Sequence, residues 1–273
     1  MNSNEFERIV LLVSCVHQTD KSILNRLNIQ SRFIIVNQCD SDSVEECVYM
    51  APNGETYSGS FINTRERGLS KSRNMAISYA PSDSICVICD DDEVLADNYP
   101  IIIKNAYNNL PQVDIIAFNI KYSSERYAYK KPYKKNARLH FKDILKVSSF
   151  QITFKAQRVL SNQIKFDIRM GSGTGNGGGE ENKFLLDCRK KGLSIWCNPE
   201  ELASINNGDS QWFKGYNKDY FVTFGWQTRH LLGLLKGYAF IWYNAINHSG
   251  MYCEDLNLFQ VIMALHKGFF EKR

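Results

Sequence analysis

Ile85-Cys86-Val87-Ile88-Cys89-Asp90-Asp91-Asp92 sets five apolar residues directly against three carboxylates. A short continuous apolar run is the pattern of a strand buried on both faces, so the spacing predicts a strand over residues 85–89 that ends in acids. The pattern recurs outward from there. Residues 9–15 and 32–37 are further apolar runs, the second leading into Gln38-Cys39-Asp40-Ser41-Asp42. Helical spacing appears between them at residues 21–27, at Leu69, Met75, Ala76 and Tyr79, and at residues 97–110, with another strand at 114–120. Pro81 and Asp83 stop the helix before the acidic strand, and the stretch holding Pro52 and Gly54 reads as irregular. Strands alternating with helices imply crossover units and an α/β fold with a mainly parallel sheet. Ligands of such sheets bind beyond the carboxyl ends of the strands, where the acids fall.

The chain then changes character. Residues 122–133 are rich in Tyr, Lys and Arg without a clear period, and residues 171–179 hold six glycines among nine, which excludes regular structure. A helix is expected over residues 180–191: Glu180 and Glu181 start it, Phe184, Leu185 and Cys188 face inward, and Arg189, Lys190 and Lys191 suit the negative end of the dipole. From Asp219 onward, apolar and aromatic residues at helical spacing predict two helices joined near residues 247–250. This divides the chain into a domain over residues 1–218 and a C-terminal helical extension over 219–273.

The bulk numbers exclude several classes. A chain of 273 residues with 44% hydrophobic content buries a sizeable core. Its net charge of +4 is small and scattered except near residues 130–138, and nothing in it reads as a nucleic-acid-binding signature. Residues 1–8 lack the apolar core of a secretory signal. Residues 231–246 are interrupted by Lys236 and two glycines, and a membrane span needs about 20 apolar residues, so a packed helix is expected there. The cysteines sit largely in apolar runs, as reduced thiols of a cytoplasmic protein do. Cys86 and Cys89 form a C-x-x-C inside a strand with no second pair, and they read as small core residues.

Three features carry chemistry. Adjacent carboxylates are costly unless solvated or bound to a cation. Asp90 and Asp92 can share a hard divalent ion such as Mn2+ or Mg2+, which bridges to a diphosphate; a solvated acidic turn is the plainer alternative. Upstream, Arg65-Glu66-Arg67-Gly68-Leu69-Ser70-Lys71-Ser72-Arg73-Asn74 supplies cations suited to a diphosphate. Downstream, the glycine-rich loop runs into Glu180 and Glu181, either of which can act as general base on a hydroxyl or simply favour the helix start.

In this order the features resemble family 2 glycosyltransferases with the GT-A fold, a Rossmann-like mainly parallel sheet flanked by helices. The residues that carry the resemblance are Ser70-Lys71-Ser72-Arg73-Asn74, Asp90 to Asp92, and Glu180-Glu181, and it spans roughly residues 8–205. More narrowly, the chain is similar to bacterial enzymes that build capsule or O-antigen chains. The resemblance implies inverting, metal-dependent transfer from a nucleotide-sugar, usually a UDP-sugar, to a hydroxyl of a growing, lipid-linked or free glycan. It implies Asp92 as main metal ligand with Asp90 beside the donor sugar or ribose, and Asp40 at the uracil or ribose. Arg65, Arg73 and Asp91 would lie with the nucleotide-sugar, and Glu181 or Glu180 would be the base. A His that many relatives place downstream of the base is missing from residues 203–209. The expected location is cytoplasmic, with peripheral contact at the inner face of the membrane or a homodimer through the C-terminal helices both left open.

Two rivals stand beside this. Residues 88–95 also fit the opening motif of haloacid-dehalogenase-type phosphatases, with Asp90 as nucleophile and Asp92 as acid/base. Gly208-Asp209, however, is followed by no second acid in residues 210–214. The other rival is a non-catalytic glycan-binding protein, with Trp212, Trp226 and Trp242 stacking on sugars.

Overall fold

A computed structural model describes residues 8–122, 131–205 and 215–272. The chain begins with β1 (Ile9–Val16), the short α1 (Ile23–Arg26) and β2 (Arg32–Gln38), then a hairpin of β3 (Ser43–Met50) and β4 (Thr56–Thr64). There follow α2 (Leu69–Tyr79), β5 (Ile85–Asp90), β6 (Glu93–Leu95), α3 (Tyr99–Asn109) and β7 (Ile115–Tyr122). After β8 (Ala137–Arg138), α4 (Phe141–Ile144), β9 (Ile152–Lys155) and α5 (Ala156–Ser161) come α6 (Glu180–Lys190) and β10 (Ile195–Ile205). Two helices close the chain, α7 (Lys218–Asn247) and α8 (Leu258–Phe270).

The strands form one sheet in the order β3-β4-β2-β1-β5-β9-β7-β10-β6, with β8 also paired to β10. Six of the ten strands (β4, β2, β1, β5, β7 and β10) run the same way, so the sheet is mainly parallel and helices flank it. Side chains alternate across β1: Val10 and Leu12 join one core, and Leu11, Val13 and Cys15 join the other. The continuous apolar run at residues 9–15 is the trace of that two-sided burial. The same alternation sends Cys86 to one face of β5 and Cys89 to the other. The C-x-x-C pair therefore cannot chelate or bridge, and burial pushes the Cys86 thiol up to about 12.

Several elements were not visible in the sequence. The stretch with Pro52 and Gly54 is not irregular throughout but holds the turn of the antiparallel β3–β4 hairpin, closed by Ala51 N–H to Glu55 O and Gly54 N–H to Ala51 O. Acids at 45 and 46 and an exposed outer face hid β3. In β10, Pro199 sits where the register with β7 shifts between Cys197 and Glu201, a bulge that breaks the strand pattern. The helix boundaries at 69–79 and 180–190 fall where spacing put them, within a residue.

The C-terminal helices have a core of their own, built on Phe221, Ile241, Tyr252, Val261, Leu265 and Phe269. They are joined over residues 248–257, further on than expected, through a short turn at Ser249–Met251. α7 is broken at Gly233 (φ 75°, ψ −172°). Close approach of the two helices depends on glycine: a Cβ on Gly268 would lie 1.7 Å from Val222 O. No helix among the described residues is long and apolar enough to cross a membrane.

Candidate functional site

The site assembles around the end of β5. Asp90 accepts hydrogen bonds from Arg73 Nη2, at 2.8 and 3.1 Å to its two oxygens, and from Ser149 Oγ at 3.1 Å. Its backbone N–H donates to Glu93 Oε1 at 2.8 Å, which sets the turn that follows the strand. Asp91 is half-buried and Asp92 exposed, so three identical letters occupy three different environments. Burial, then Asp92 and Asp90, push the Asp91 carboxyl up. Glu93 is buried, and burial followed by the Asp90 charge raises its carboxyl well above the usual range.

Arg73 extends from α2 with 1% of its side chain exposed. Its Nη1 donates to Glu180 Oε1 at 2.9 Å. One guanidinium thus ties the end of β5 to the start of α6, two segments far apart in the chain. Burial opposes its charge, but the carboxylates of Asp90 and Glu180 outweigh that and raise its pKa. Both terminal nitrogens of Arg73 are spent on carboxylates, at the acidic end of β5 where the nucleotide-sugar was expected.

Ser70, Arg73 and Asn74 lie at i, i+3 and i+4, on one face of α2, which explains their spacing. Ser70 Oγ donates to Met170 O at 2.7 Å, and Asn74 exchanges two hydrogen bonds with the backbone of Phe166. Leu69 N–H reaches Ser172 O. This face of the helix therefore holds the start of the glycine-rich loop. The loop folds back through Gly171 N–H to Gly177 O at 2.7 Å, with positive φ at Gly171, Gly173, Gly175, Gly177 and Gly179. A Cβ on Gly171 would crowd Ser70 Oγ at 3.2 Å and Glu180 Cδ at 3.3 Å.

The two glutamates separate. Glu180 is buried, with Oε1 on Arg73 and Oε2 without a hydrogen-bond partner; Glu181, in the first turn of α6, is less buried. On the other side of β5, Asp40 lies beyond the end of β2, two strands away, or about 10 Å between strand axes. It is 88% exposed and pairs with Arg67 Nη2 at 2.6 Å. Arg65 is exposed, donating Nε to Asp40 O and its backbone N–H to Asp42. Arg67 stood in the sequence only as one cation of the stretch 65–74 and Glu93 only within residues 88–95, while Ser149 carried no sequence signal.

Among the described residues, no group of three His, Cys, Asp or Glu side chains converges to hold an ion. Asp90 is engaged by Arg73 and Ser149, and Asp92 is the exposed member of the triplet. This donor set fits a hard cation shared with an anionic ligand and does not fit a self-sufficient metal site. Residues 206–209, where a downstream His was sought, lie outside the described residues, as do Trp212, residues 210–214 and residues 123–130. Trp226 is fully buried, and Trp242 is partly exposed.

The family model of Glycosyl transferase family 2 matches residues 13–174. A search of the curated proteins gave no match. Among solved structures, that of S. aureus TarS 1-349 superposes with a TM-score of 0.60 at 13% identity, over 96% of this chain and 80% of that one. The same protein in complex with UDP-GlcNAc gives a TM-score of 0.59 at 13% identity, over 94% and 79% of the two chains. At such identity the likeness is one of fold.

Proposed function

The chain belongs to Glycosyl transferase family 2 and carries the GT-A fold, and we propose that it transfers a sugar with inversion from a UDP-sugar to a hydroxyl of a growing cell-surface glycan. One observation carries the reading: Arg73 holds the acidic end of β5 and the glutamate-bearing start of α6 together. Donor-binding acids and a base thereby sit on one rigid unit, which is what displacement at a sugar carbon requires. With the family known, the phosphatase reading of Asp90 and Asp92 falls away.

Glu181 is the base of this scheme. Glu180 is committed to Arg73, whereas Glu181 follows it in the same first turn with more exposure. Glu181 takes the proton from the acceptor hydroxyl as that oxygen attacks the anomeric carbon, on the face opposite the departing UDP. Asp40 and Arg65, at the ends of β2 and β4, line the side where the nucleoside lies. Asp92, with Asp90 behind it, would hold Mn2+ or Mg2+ jointly with the diphosphate, and the ion would neutralise charge on the leaving group. That the TarS structure was obtained in complex with UDP-GlcNAc supports a uridine donor.

The test is UDP release from a panel of UDP-sugars with and without Mn2+. General base catalysis contributes ~10²–10⁴-fold, so Glu181→Gln should lower transfer by that factor and leave UDP binding intact. Equal loss of both would remove Glu181 from the role. Binding of UDP with no turnover of any donor would favour a non-catalytic glycan-binding protein.

A further inference from the structure

The exposed hydrophobic side chains of this molecule are concentrated at its C-terminal end. Leu235 is 83% exposed, Phe259 72% and Phe270 61%. Met263 is also exposed, and Tyr238 and Trp242 are partly so. They form one continuous face. Phe259, Met263, His266 and Phe270 recur at helical spacing along α8, and Leu235, Tyr238 and Trp242 along α7. The two stripes meet edge to edge: the Tyr238 ring lies 6.1 Å from Phe270 and 5.3 Å from His266, and Trp242 lies 5.5 Å from His266. Contiguous exposed apolar surface on this scale marks a docking site.

Charge chooses the occupant. From Tyr220 to Asn247 and from Leu258 to Phe270 every charged side chain is a cation: Arg229, Lys236 and Lys267. Lys236 and Lys267 are exposed beside the apolar stripes. Pairing this face with a second copy by two-fold symmetry would bring like charges together, and the carboxylate of α7, Asp219, lies in its first turn, on the far side of the Gly233 break from the stripes. An anionic lipid surface meets the same face with opposite charge, while Tyr238 and Trp242 present the apolar bodies and polar tips suited to the headgroup boundary. We propose that α7 and α8 lie flat on an anionic membrane, with this face in the headgroup region and no span across it.

The consequence for the site is geometric. On the other side of the break at Gly233, Gln227 Nε2 donates to Asn176 O, and Leu231 packs 3.7 Å from where a Cβ on Gly179 would lie. The helix that carries the docking face therefore also touches the glycine-rich loop, so docking holds that loop near the lipid surface.

The experiment is flotation of the full chain with vesicles of phosphatidylcholine alone and of phosphatidylcholine with 30% phosphatidylglycerol. The full chain should float with the anionic vesicles and much less with the neutral ones. Phe259→Ser combined with Met263→Ser should cut binding at least tenfold with unchanged circular dichroism and melting. Lys236→Glu with Lys267→Glu should abolish the preference for anionic lipid. Absence of flotation with anionic vesicles overturns the proposal, as does equal binding by the serine variant. A concentration-dependent dimer in light scattering, dissociated by the serine variant, gives the face to a second copy instead.

Discussion

Arg73 shows how much one side chain can hold. Its guanidinium lies between Asp90 and Glu180 and 5.4 Å from the Phe166 ring, with almost no exposure. Replacing it leaves one fully buried carboxylate and one largely buried carboxylate without a partner, a loss of about 3–5 kcal/mol for a buried pair broken from one side. Arg73→Met should therefore lower the unfolding free energy extrapolated from a urea titration by that amount. Adding Glu180→Met should restore part of it, since both buried charges are then gone. If the double variant is no more stable than the single one, the two residues are not coupled. At this scale the sequence displays position and hides environment. The triplet marked the end of β5, but nothing in three repeated aspartates tells which is clamped, which half-buried and which exposed. Those differences come from Ser149 and Arg73, 59 and 17 residues away, and such partners leave no local pattern.

Among the elements, α2 and the glycine-rich loop behave as one piece. Ser70, Arg73 and Asn74 all point from one helix face to the segment at 166–180, so the loop is shaped by the helix as well as by its glycines. Gly171→Ala and Gly175→Ala impose similar backbone strain, since both have positive φ, at a cost of about 1–3 kcal/mol each. Only at Gly171 does the added methyl meet other atoms, Ser70 Oγ and Glu180 Cδ, whereas the space at Gly175 is open. Transfer activity should fall more for Gly171→Ala than for Gly175→Ala, and equal losses would mean the loop is not packed on α2. On α7, His230 stacks on Trp226 at 3.8 Å, and burial, helped by the cations Arg169 and Lys183, holds its imidazole below the usual range against the opposing pull of Trp226 O and Asp167. A lowered folded pKa means the unfolded chain binds more protons just below pH 6.5, so stability falls as pH drops through that window. Melting at pH 7.5 and 5.5 should show a smaller acid penalty for His230→Gln than for the parent chain. The same scale explains what the sequence concealed: β9 is only four residues long, β10 is broken by Pro199, and neither has the unbroken apolar run that exposed β1 and β5.

For the whole molecule, the central strands were legible because burial on both faces writes a one-letter signature, while the antiparallel insertions β3, β6 and β9 depend on tertiary partners. The C-terminal helices raise a different question, whether they fold with the sheet or as a unit of their own. Their core is built from α7, α8 and the turn between them and shares no residue with the two cores on the faces of the sheet. Gly268→Ala tests this, because its methyl would overlap Val222 O at 1.7 Å and force α8 away from α7. Overpacking of this kind costs typically about 1–3 kcal/mol, and backbone on both sides leaves little room to yield. Calorimetry of the variant should show an early transition for residues 218–272 while the sheet unfolds at its original temperature. A single transition displaced as a whole would mean that the contacts of Gln227 and Leu231 with the glycine-rich loop bind the two parts into one cooperative unit, and the boundary at residue 218 would lose its thermodynamic meaning.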